Sequence, residues 1–450
     1  MGFLLLLPLL VSFAGAYMLV RLRFFFFRHP IKTVKKFLRG VRGEGSFSSL
    51  ALALAGTLGV GNIFGVSVAL ISGGAGALFW IFVSSLFSSV IKYSEVIIAT
   101  DTSDREYGMI SVINKAFGKH GGIFGALYAS LALMLSFVMG GMLQARSVGA
   151  AMCECLGTDG WIVAAMLLLC VIAAVQGGAS KIKKTISKIL PLTTIIYIFM
   201  TLSVIFTHFS ALGGAVSNII IGAFSPRSFG SGIGAYIALR ALREGFACGM
   251  LSNEAGAGTS AFAHGTERKA TPVEGGILGA FEAFFDTGIV CMLTGLAILV
   301  AVPNFSEYSS AMLLVCDALF STFGYSAAPI LSASVFMFAV ATVVCWFYYG
   351  NVCRRYLFGK KFSGVFAALF FSSVILGIFS FDSVSVRLAD TILLFMSFPT
   401  LFAIIKSSDR IAELSEKENM FSKKKIKANG CERKAVRRLP RASRKTRSRS

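Results

Sequence analysis

The chain has 450 residues, of which 55% are hydrophobic and only 14% are charged, and its formal net charge is +21. Ordinary soluble domains have about 25% charged residues, and a soluble fold of this length could not bury so much apolar surface in one core. In lipid every backbone N–H and C=O group must be paired within the chain, which requires helices or a closed barrel. The apolar runs are about 20 residues long, the length of a membrane-spanning helix rather than of a barrel strand. Composition therefore predicts an all-α integral membrane protein.

Reactive side chains are scattered along the chain rather than grouped. The four histidines lie near predicted helix ends or in loops, and no Ser/His/Asp grouping indicates nucleophilic catalysis. The nine cysteines lie mostly inside apolar runs, without the partners of a structural metal site. A phosphate-cradling Walker A motif is also missing. The sequence therefore favours a protein that is neither an enzyme nor an ATP-driven pump and that needs no cofactor.

The apolar runs predict about eleven membrane spans. Lysines and arginines concentrate in alternate loops, beginning with the loop at 21–42, and the positive-inside rule assigns these loops to the cytoplasm. The N-terminus is then outside and the C-terminus inside, in what we expect to be a bacterial plasma (inner) membrane. The predicted spans lie near residues 3–27, 46–72, 76–100, 122–150, 160–178, 186–209, 236–263, 272–302, 329–352, 364–380 and 386–406.

The C-terminal segment differs in composition from the rest of the chain. Residues 407–450 hold many lysines and arginines and almost no large apolar side chain after Phe421, so they are predicted to be a basic, disordered cytoplasmic tail. Such a tail can contact anionic lipid headgroups, and nothing in it specifies a nucleic acid. The predicted division is a first helix with a basic loop (1–45), a first five-helix repeat (46–209), an external loop (210–235), a second five-helix repeat (236–406) with an external helix at 309–325, and the tail.

Two predicted spans are interrupted at mid-length by glycine and polar residues. The second span reads SLALALAGTLGVGNIFGVSVALISGG, and the seventh reads ALREGFACGMLSNEAGAGTSAFAH. Glycine lowers the cost of leaving helical geometry, and polar residues such as Asn62 and Glu254 are costly at this depth unless they are paired or wetted. The two spans lie five apart and begin corresponding halves, which predicts a five-plus-five inverted repeat with a binding site at the membrane midplane. Exposed N–H groups at such breaks attract a carboxylate and exposed carbonyl groups attract a cation, as a small amino acid with a sodium ion or a proton would require.

At these residues the sequence resembles the sodium:alanine/glycine symporter family, through stretches such as AGTLGVGNIFGV and LREGFACGMLSNEAGAG. The resemblance covers the chain to about residue 406 and implies a leucine-transporter-type fold with one extra N-terminal span. It also implies import of alanine, glycine or a similar neutral amino acid with sodium by alternating access. The positions that it assigns to the substrate are Thr57, Gly59, Gly61, Asn62, Gln144, Phe246, Ser252, Asn253, Glu254 and Gly256, and those that it assigns to the cation are Ala55, Gly56 and Thr342.

Two departures from the family pattern leave the coupling ion open. Ala341 replaces a serine that usually precedes the threonine at 342, and Val60 replaces a threonine in the GVGN stretch. Loss of an oxygen ligand is compatible with proton coupling instead of sodium coupling. A hypothesis from another class is a membrane sensor or channel that binds the solute without carrying it.

Ionisable residues inside two further spans have two interpretations. Lys92 and Glu95 lie three residues apart on the third span, and Glu282 and Asp286 lie one turn apart on the eighth. Each pair could form a proton relay, or its members could pair with residues of neighbouring helices. The second interpretation is favoured more strongly for Lys92 and Glu95 than for Asp286.

Overall fold

The computed structural model describes residues 3–24, 37, 46–59, 61–224, 232–265, 271–380 and 382–417. Over these residues the protein is helical and has no β-strand, in agreement with the predicted all-α class. In these helices most backbone N–H and C=O groups are paired within the same helix, as lipid requires.

The N-terminal half contains ten α-helices within the described residues. The helices are α1 (Phe3–Arg21), α2 (Ser46–Thr57), α3 (Val66–Gly73), α4 (Gly76–Thr100), α5 (Met109–Phe117), α6 (Gly121–Leu135), α7 (Gln144–Gly149), α8 (Gly160–Val175), α9 (Gly178–Thr207) and α10 (Leu212–Phe224). Short π-helical segments, in which the helix is locally wider, lie beside two of them. Gly61–Gly65 precedes α3, and Ser136–Leu143 and Ala150–Glu154 flank α7.

The C-terminal half begins with two helices separated by a break. The helices are α11 (Gly232–Asn253), α12 (Ser260–His264), α13 (Pro272–Ala283), α14 (Met292–Ala301), α15 (Ala311–Phe323), α16 (Ala327–Phe358), α17 (Ser363–Ile378), α18 (Asp382–Lys406) and α19 (408–417). One continuous helix, Pro272–Ala301, consists of α13, the π-helical segment Phe284–Cys291 and α14. We name it the bridging helix because it contacts α2 and both α11 and α12.

Fewer helices than the predicted eleven are long and apolar enough to cross a membrane by themselves. Within the described residues six pass on length and composition, and a seventh passes when α2 is joined to the segment Gly61–Gly73 across a 48° bend. Others, such as Gly160–Val175 and Ser363–Ile378, are shorter, since 16 helical residues reach about 24 Å. The count of eleven and the inverted repeat therefore remain predictions.

Both helices that were predicted to be broken are interrupted in the structure. The first broken helix consists of α2 and, after the break, Gly61–Gly73. The second broken helix consists of α11 and α12, with residues 254–259 between them in non-helical geometry. Helix α4 packs against α1, α11 and the bridging helix, and it is buried along most of its length. It therefore supports the second broken helix from within the protein.

Two segments differ from their predicted form. The predicted external loop at 210–235 contains α10, whose residues Ala215, Ile219 and Ala223 are buried where the helix packs on α4. The predicted disordered tail begins with α19, because Ile411 is fully buried there and the Tyr93 and Ser415 hydroxyls hydrogen-bond at 2.8 Å. Residues 418–450 of the predicted tail lie outside the described residues.

Helix α15 coincides with the helix predicted at 309–325, and its placement outside the membrane remains a prediction.

Candidate functional site

The first broken helix loses helical geometry at Leu58 and Gly59, just after α2. A side chain at Gly59 would force its neighbours to shift, because its Cβ atom would lie 2.9 Å from Oε1 of Gln144 and 3.0 Å from Oγ1 of Thr342. At Gly61 a Cβ atom would meet only the Ser252 Cα atom, at 3.9 Å. The break thus approaches Gln144 and Thr342 closely at Gly59, and it packs against the second broken helix at Gly61. Val60 lies outside the described residues.

The second broken helix leaves helical geometry through residues with positive φ. Glu254 has φ +53°, Gly256 has φ +89° and Gly258 has φ +77°, and such left-handed geometry ends an α-helix of L-residues. The Asn253 side chain accepts a hydrogen bond from the Ala255 N–H group at 3.0 Å. The Glu95 carboxylate accepts bonds from the N–H groups of Gly256 at 2.7 Å and Gly258 at 3.3 Å. Helix α4 therefore satisfies backbone donors that the break exposes.

The two broken helices meet at Asp286, a buried residue of the bridging helix. Asn62 Nδ2 donates to Asp286 Oδ1 at 2.7 Å and to its backbone oxygen at 2.9 Å. The Ser252 hydroxyl donates to the other carboxylate oxygen at 2.6 Å, and the Thr287 hydroxyl donates to it at 2.9 Å. Asn253 Nδ2 in turn donates to Thr287 Oγ1 at 3.1 Å. The result is a buried group of oxygen atoms around one carboxylate, which we name the Asp286 cluster (Asn62, Ser252, Asn253, Asp286 and Thr287).

A second polar group surrounds Gly59. Gln144 and Thr342 face its Cα atom, and both side chains are almost completely buried. The Thr342 hydroxyl donates to the Phe338 carbonyl at 3.0 Å, so its lone pairs can still accept a bond or bind a cation. Both residues therefore lie beside the first break, as the family resemblance implies for them.

The remaining positions assigned by resemblance in the first broken helix are buried but differ in their surroundings. Ala55 is fully buried. Gly56 faces the ring of Tyr349 and the Cys345 sulfur, which would lie 3.2 and 3.4 Å from an added Cβ atom. The Thr57 hydroxyl is directed back to the Ala53 carbonyl at 3.4 Å. The structure thus places Gly56 against α16, which also carries Thr342.

Three positions assigned by resemblance in the second broken helix lie away from the Asp286 cluster. Phe246 packs against Trp80, with ring centroids 5.8 Å apart. A Cβ atom at Gly256 would meet Val11 Cγ2 at 3.1 Å, so this glycine faces α1. Glu254 is buried, and no hydrogen bond within the described part of the chain reaches its carboxylate oxygens. The buried charge that stabilises this carboxylate is Lys92 of α4.

A third group, on the far side of the second break, joins α4 to the bridging helix. Lys92 is fully buried, and its Nζ atom lies 3.3 Å from Glu282 Oε1 and hydrogen-bonds to Ser260 Oγ. The Ser260 hydroxyl donates to Glu282 Oε1 at 2.7 Å, and His264 Nε2 lies 3.4 Å from Glu282 Oε2. This arrangement, named the Lys92 cluster (Lys92, Ser260, His264 and Glu282), confirms pairing between helices for Lys92 and Glu282.

Two residues of the Asp286 cluster were not assigned to the site from the sequence. In the sequence Asp286 stands out only as one member of an acidic pair with Glu282, and Thr287 does not stand out. An ionisable residue in the middle of an apolar run is itself a signal of function, and Asp286 has that signal. Thr287 has none, since threonine is ordinary in membrane helices and its neighbours become visible only in the folded chain.

The chain is similar in sequence to proteins described as transporters. The chain is 29% identical over 435 residues to an uncharacterized transporter of Haemophilus influenzae, covering 93% of this chain and 94% of that protein. It is 29% identical over 395 residues to the sodium/alanine symporter AgcS of Methanococcus maripaludis, covering 85% of each protein.

Solved structures support the fold alone. MhsT in complex with L-phenylalanine aligns with a TM-score of 0.51 and 14% identity, covering 82% of this chain and 98% of that chain. A Na⁺-coupled sialic acid symporter aligns with a TM-score of 0.50 and 13% identity, covering 90% and 85%. These neighbours have the leucine-transporter-type fold, which agrees with the two broken helices described above.

A family model also matches this chain. The model of the sodium:alanine symporter family matches residues 2–431, nearly the whole chain. Its members are transporters rather than enzymes, and the long apolar helices agree with residence in a membrane. The chain is therefore a multi-pass membrane protein that belongs to the sodium:alanine symporter family.

Proposed function

We propose that this protein imports a small neutral amino acid, alanine or glycine, together with sodium by alternating access. The observation that carries the proposal is the Asp286 carboxylate, which binds Asn62 of the first broken helix and Ser252 of the second. A ligand that occupied this point would contact both breaks and the bridging helix at once. Such a position suits a site that two halves of a transporter enclose alternately.

The size of the substrate follows from the space around the first break. A Cβ atom added at Gly61 would contact the Ser252 Cα atom at 3.9 Å, and Gly59 is enclosed by Gln144 and Thr342. This close packing at the first break favours a small substrate such as alanine or glycine over larger amino acids. The first N–H groups of the segment after the break have no partner within the helix and can bind the substrate carboxylate. The sodium/alanine symporter AgcS among the relatives favours the same substrate class.

The Asp286 cluster supports a cation-binding function. Its carboxylate, hydroxyl and amide oxygens are the hard ligands that sodium prefers, and a buried carboxylate gains most from a positive partner. The Asn62 amide can present either its oxygen or its nitrogen, because the two ends are assigned from the hydrogen-bond network alone. A cation at Asp286 would therefore turn the Asn62 oxygen inwards. Ala55, Gly56 and Thr342 are proposed as a second cation position beside Gly59.

The alternative coupling ion is a proton. Asp286 is fully buried, and a proton would neutralise its carboxylate as a sodium ion does. The hydroxyl donors from Ser252 and Thr287 already partner one of its oxygens, so a proton would compete with them. Sodium would instead be bound by lone pairs of the same hydroxyls as well as by the carboxylate. Sodium is therefore the ion that we propose.

Uptake of labelled alanine and glycine into reconstituted vesicles tests the proposal. We expect accumulation against a concentration gradient when sodium is higher outside, and no accumulation when potassium replaces sodium at constant pH. An imposed pH gradient without sodium should not drive uptake. Accumulation driven by that pH gradient would replace sodium by protons, and exchange that ignores both gradients would exclude coupled transport.

A further inference from the structure

The bridging helix carries two fully buried carboxylates one turn apart, and each binds a different side of the second break. Asp286 accepts the Ser252 hydroxyl, from the last turn of α11, at 2.6 Å. Glu282 accepts the hydroxyl of Ser260, the first residue of α12, at 2.7 Å. The wider π-helical segment Phe284–Cys291 begins between the two carboxylates, and such segments often occur at functional sites. One helix thus connects the parts of the chain before and after the break.

Polar side chains join α12 to this helix and to α4. Both Ser260 and His264 face Glu282, and Lys92 reaches Ser260 and Glu282 from α4. The carboxylate of Glu95, one turn along α4, is occupied by the N–H groups of Gly256 and Gly258. Glu282 is therefore the direct anionic partner of Lys92. Opening the protein at the α12 end requires these contacts to separate.

The charges of this region do not balance. The single Lys92 ammonium lies 3.3 Å from Glu282 and also interacts with the buried carboxylates Glu95 and Glu254. Glu282 and Asp286 lie one turn apart and repel each other, and the low dielectric of a buried site strengthens that repulsion. A cation at Asp286 removes this repulsion, so the attraction of Glu282 to Lys92 is less opposed. Occupancy at Asp286 should therefore tighten the hold of Glu282 on Lys92 and Ser260.

We propose that Lys92 and Glu282 are positioning residues that couple cation occupancy at Asp286 to the position of α12. The inference rests on the proposed cation site, because it begins from a sodium ion bound at that carboxylate. With sodium bound, the Lys92 cluster keeps α12 packed against the bridging helix. When sodium leaves, the cluster loosens and this end of the site can open.

Hydrogen–deuterium exchange of the full-length protein in lipid nanodiscs tests the coupling. In the wild type we expect sodium chloride, compared with potassium chloride, to slow exchange over residues 256–265 roughly tenfold, a typical size for coupling between sites. The double variant Lys92→Met with Glu282→Gln removes both charges together, so that neither is left buried and unpaired. Its exchange over these residues should no longer respond to sodium. Lys184→Met, an exposed matched change, should respond like the wild type.

Substitutions of Ser260 provide a second route that keeps both charges. Ser260→Ala removes the hydroxyl that joins α12 to Glu282, and because about one hydrogen bond is lost, the sodium response should fall at least threefold. Ser260→Thr retains the hydroxyl and loses no hydrogen bond, so it should retain most of the response. A full sodium response in Ser260→Ala or in the double variant would overturn the coupling while leaving the sodium site intact. No sodium response in the wild type would overturn the sodium site and the coupling together.

Discussion

The side chain of Asn62 donates a 2.7 Å hydrogen bond to Asp286 and so joins the first broken helix to the bridging helix. The Asp286 carboxylate also accepts the Ser252 hydroxyl from the second broken helix. Three separate elements are therefore connected at one anionic group that is shielded from solvent. Neutralising that group without changing its shape is the most direct test of the site.

Asp286→Asn should abolish sodium-driven uptake while the protein remains folded. The amide keeps the size of the carboxylate and can still bond to Ser252, but it removes the charge that attracts the cation. We expect the apparent sodium affinity to fall at least about 100-fold, corresponding to the roughly 3 kcal/mol typical of losing one partner in a buried charged pair. Sodium dependence of alanine uptake in vesicles measures the effect.

The matched control for this change is Asp104→Asn. Asp104 is exposed in the loop after α4, so the same chemical change should leave the sodium dependence at the wild-type value. Normal sodium-driven uptake by Asp286→Asn would mean that the cation binds elsewhere, with the position at Ala55, Gly56 and Thr342 as the next candidate.

Gly59→Ala should impair substrate binding more than it impairs folding. The added methyl group would lie 2.9 Å from Gln144 Oε1 and 3.0 Å from Thr342 Oγ1, closer than these atoms tolerate, so both side chains must shift. We expect at least a tenfold loss in alanine affinity, about 1.4 kcal/mol, measured by isothermal titration calorimetry in detergent.

The Gly59→Ala variant should lose less affinity for glycine than for alanine. Glycine lacks the methyl group of alanine, so the preference of Gly59→Ala should shift from alanine towards glycine. Equal losses of affinity for both amino acids would indicate that the substrate side chain does not face Gly59.

The two helix breaks could be predicted from the sequence, whereas their partners could not. Glycine and polar residues change the local backbone preference, so the breaks near Gly59 and Glu254 follow from short stretches of sequence. The contact between Asn62 and Asp286 joins residues 224 positions apart, and it depends on how two helices rotate against each other. Packing sets that rotation, and no local pattern encodes it.

The charged residues of α4 also have partners that could not be predicted from the sequence. Lys92 and Glu95 are three apart in the sequence, a spacing that allows contact along one helix. In the fold each is bound to another element instead: Lys92 to Glu282 and Glu95 to the backbone of Gly256 and Gly258. A sequence shows which charges need partners, but a partner on another helix is identified only when the helices are packed.

Gly256→Ala should destabilise the protein without any direct effect on the Asp286 cluster. Gly256 has φ +89°, and its added methyl group would meet Val11 Cγ2 at 3.1 Å. Left-handed backbone geometry costs about 1–2 kcal/mol for a residue with a Cβ atom, so the melting temperature in detergent should fall. Intrinsic fluorescence during thermal unfolding measures the change.

Gly213→Ala is the matched control for this loss of stability. Gly213 is exposed near the start of α10, and an added Cβ atom would meet nothing within 4 Å. Its effect should stay within about 0.5 kcal/mol, as for most surface substitutions. Similar melting of the two variants would mean that the backbone at Gly256 is not constrained as described.

Removing α19 should destabilise the protein, whereas removing only the residues after it should not. A chain that ends after Lys417 retains buried Ile411 and the hydrogen bond between Tyr93 and Ser415. A chain that ends after Lys406 loses both, and loss of a buried side chain such as Ile411 typically costs about 2–4 kcal/mol. The melting temperatures of the two truncated proteins and of the full chain measure the difference.

The variant Ile411→Ala separates apolar packing from the surface charges of α19. It should reproduce most of the loss seen on removing the helix, because exposed ion pairs such as that between Arg410 and Asp101 are typically worth below about 1 kcal/mol. If both truncated proteins melt like the full chain, α19 does not contribute to stability.

The contribution of α19 should be the same at every pH between about 6 and 8, because the pKa values of Glu413 and Arg410 are shifted away from that range. Hydrogen bonds from Lys417 and Arg410 lower the pKa of Glu413, so the stabilisation from this carboxylate is present above its usual pKa and is lost only as the pH falls through the lowered value. Hydrogen bonds to Asp101 and Glu413 raise the pKa of Arg410, so its contribution is lost only as the pH rises beyond its usual value. The difference in melting temperature between the two truncated proteins, measured at pH 6, 7 and 8 in the same potassium chloride buffer, should therefore be constant. A difference that disappears within this range would show that another group, titrating near neutrality, controls the docking of the helix.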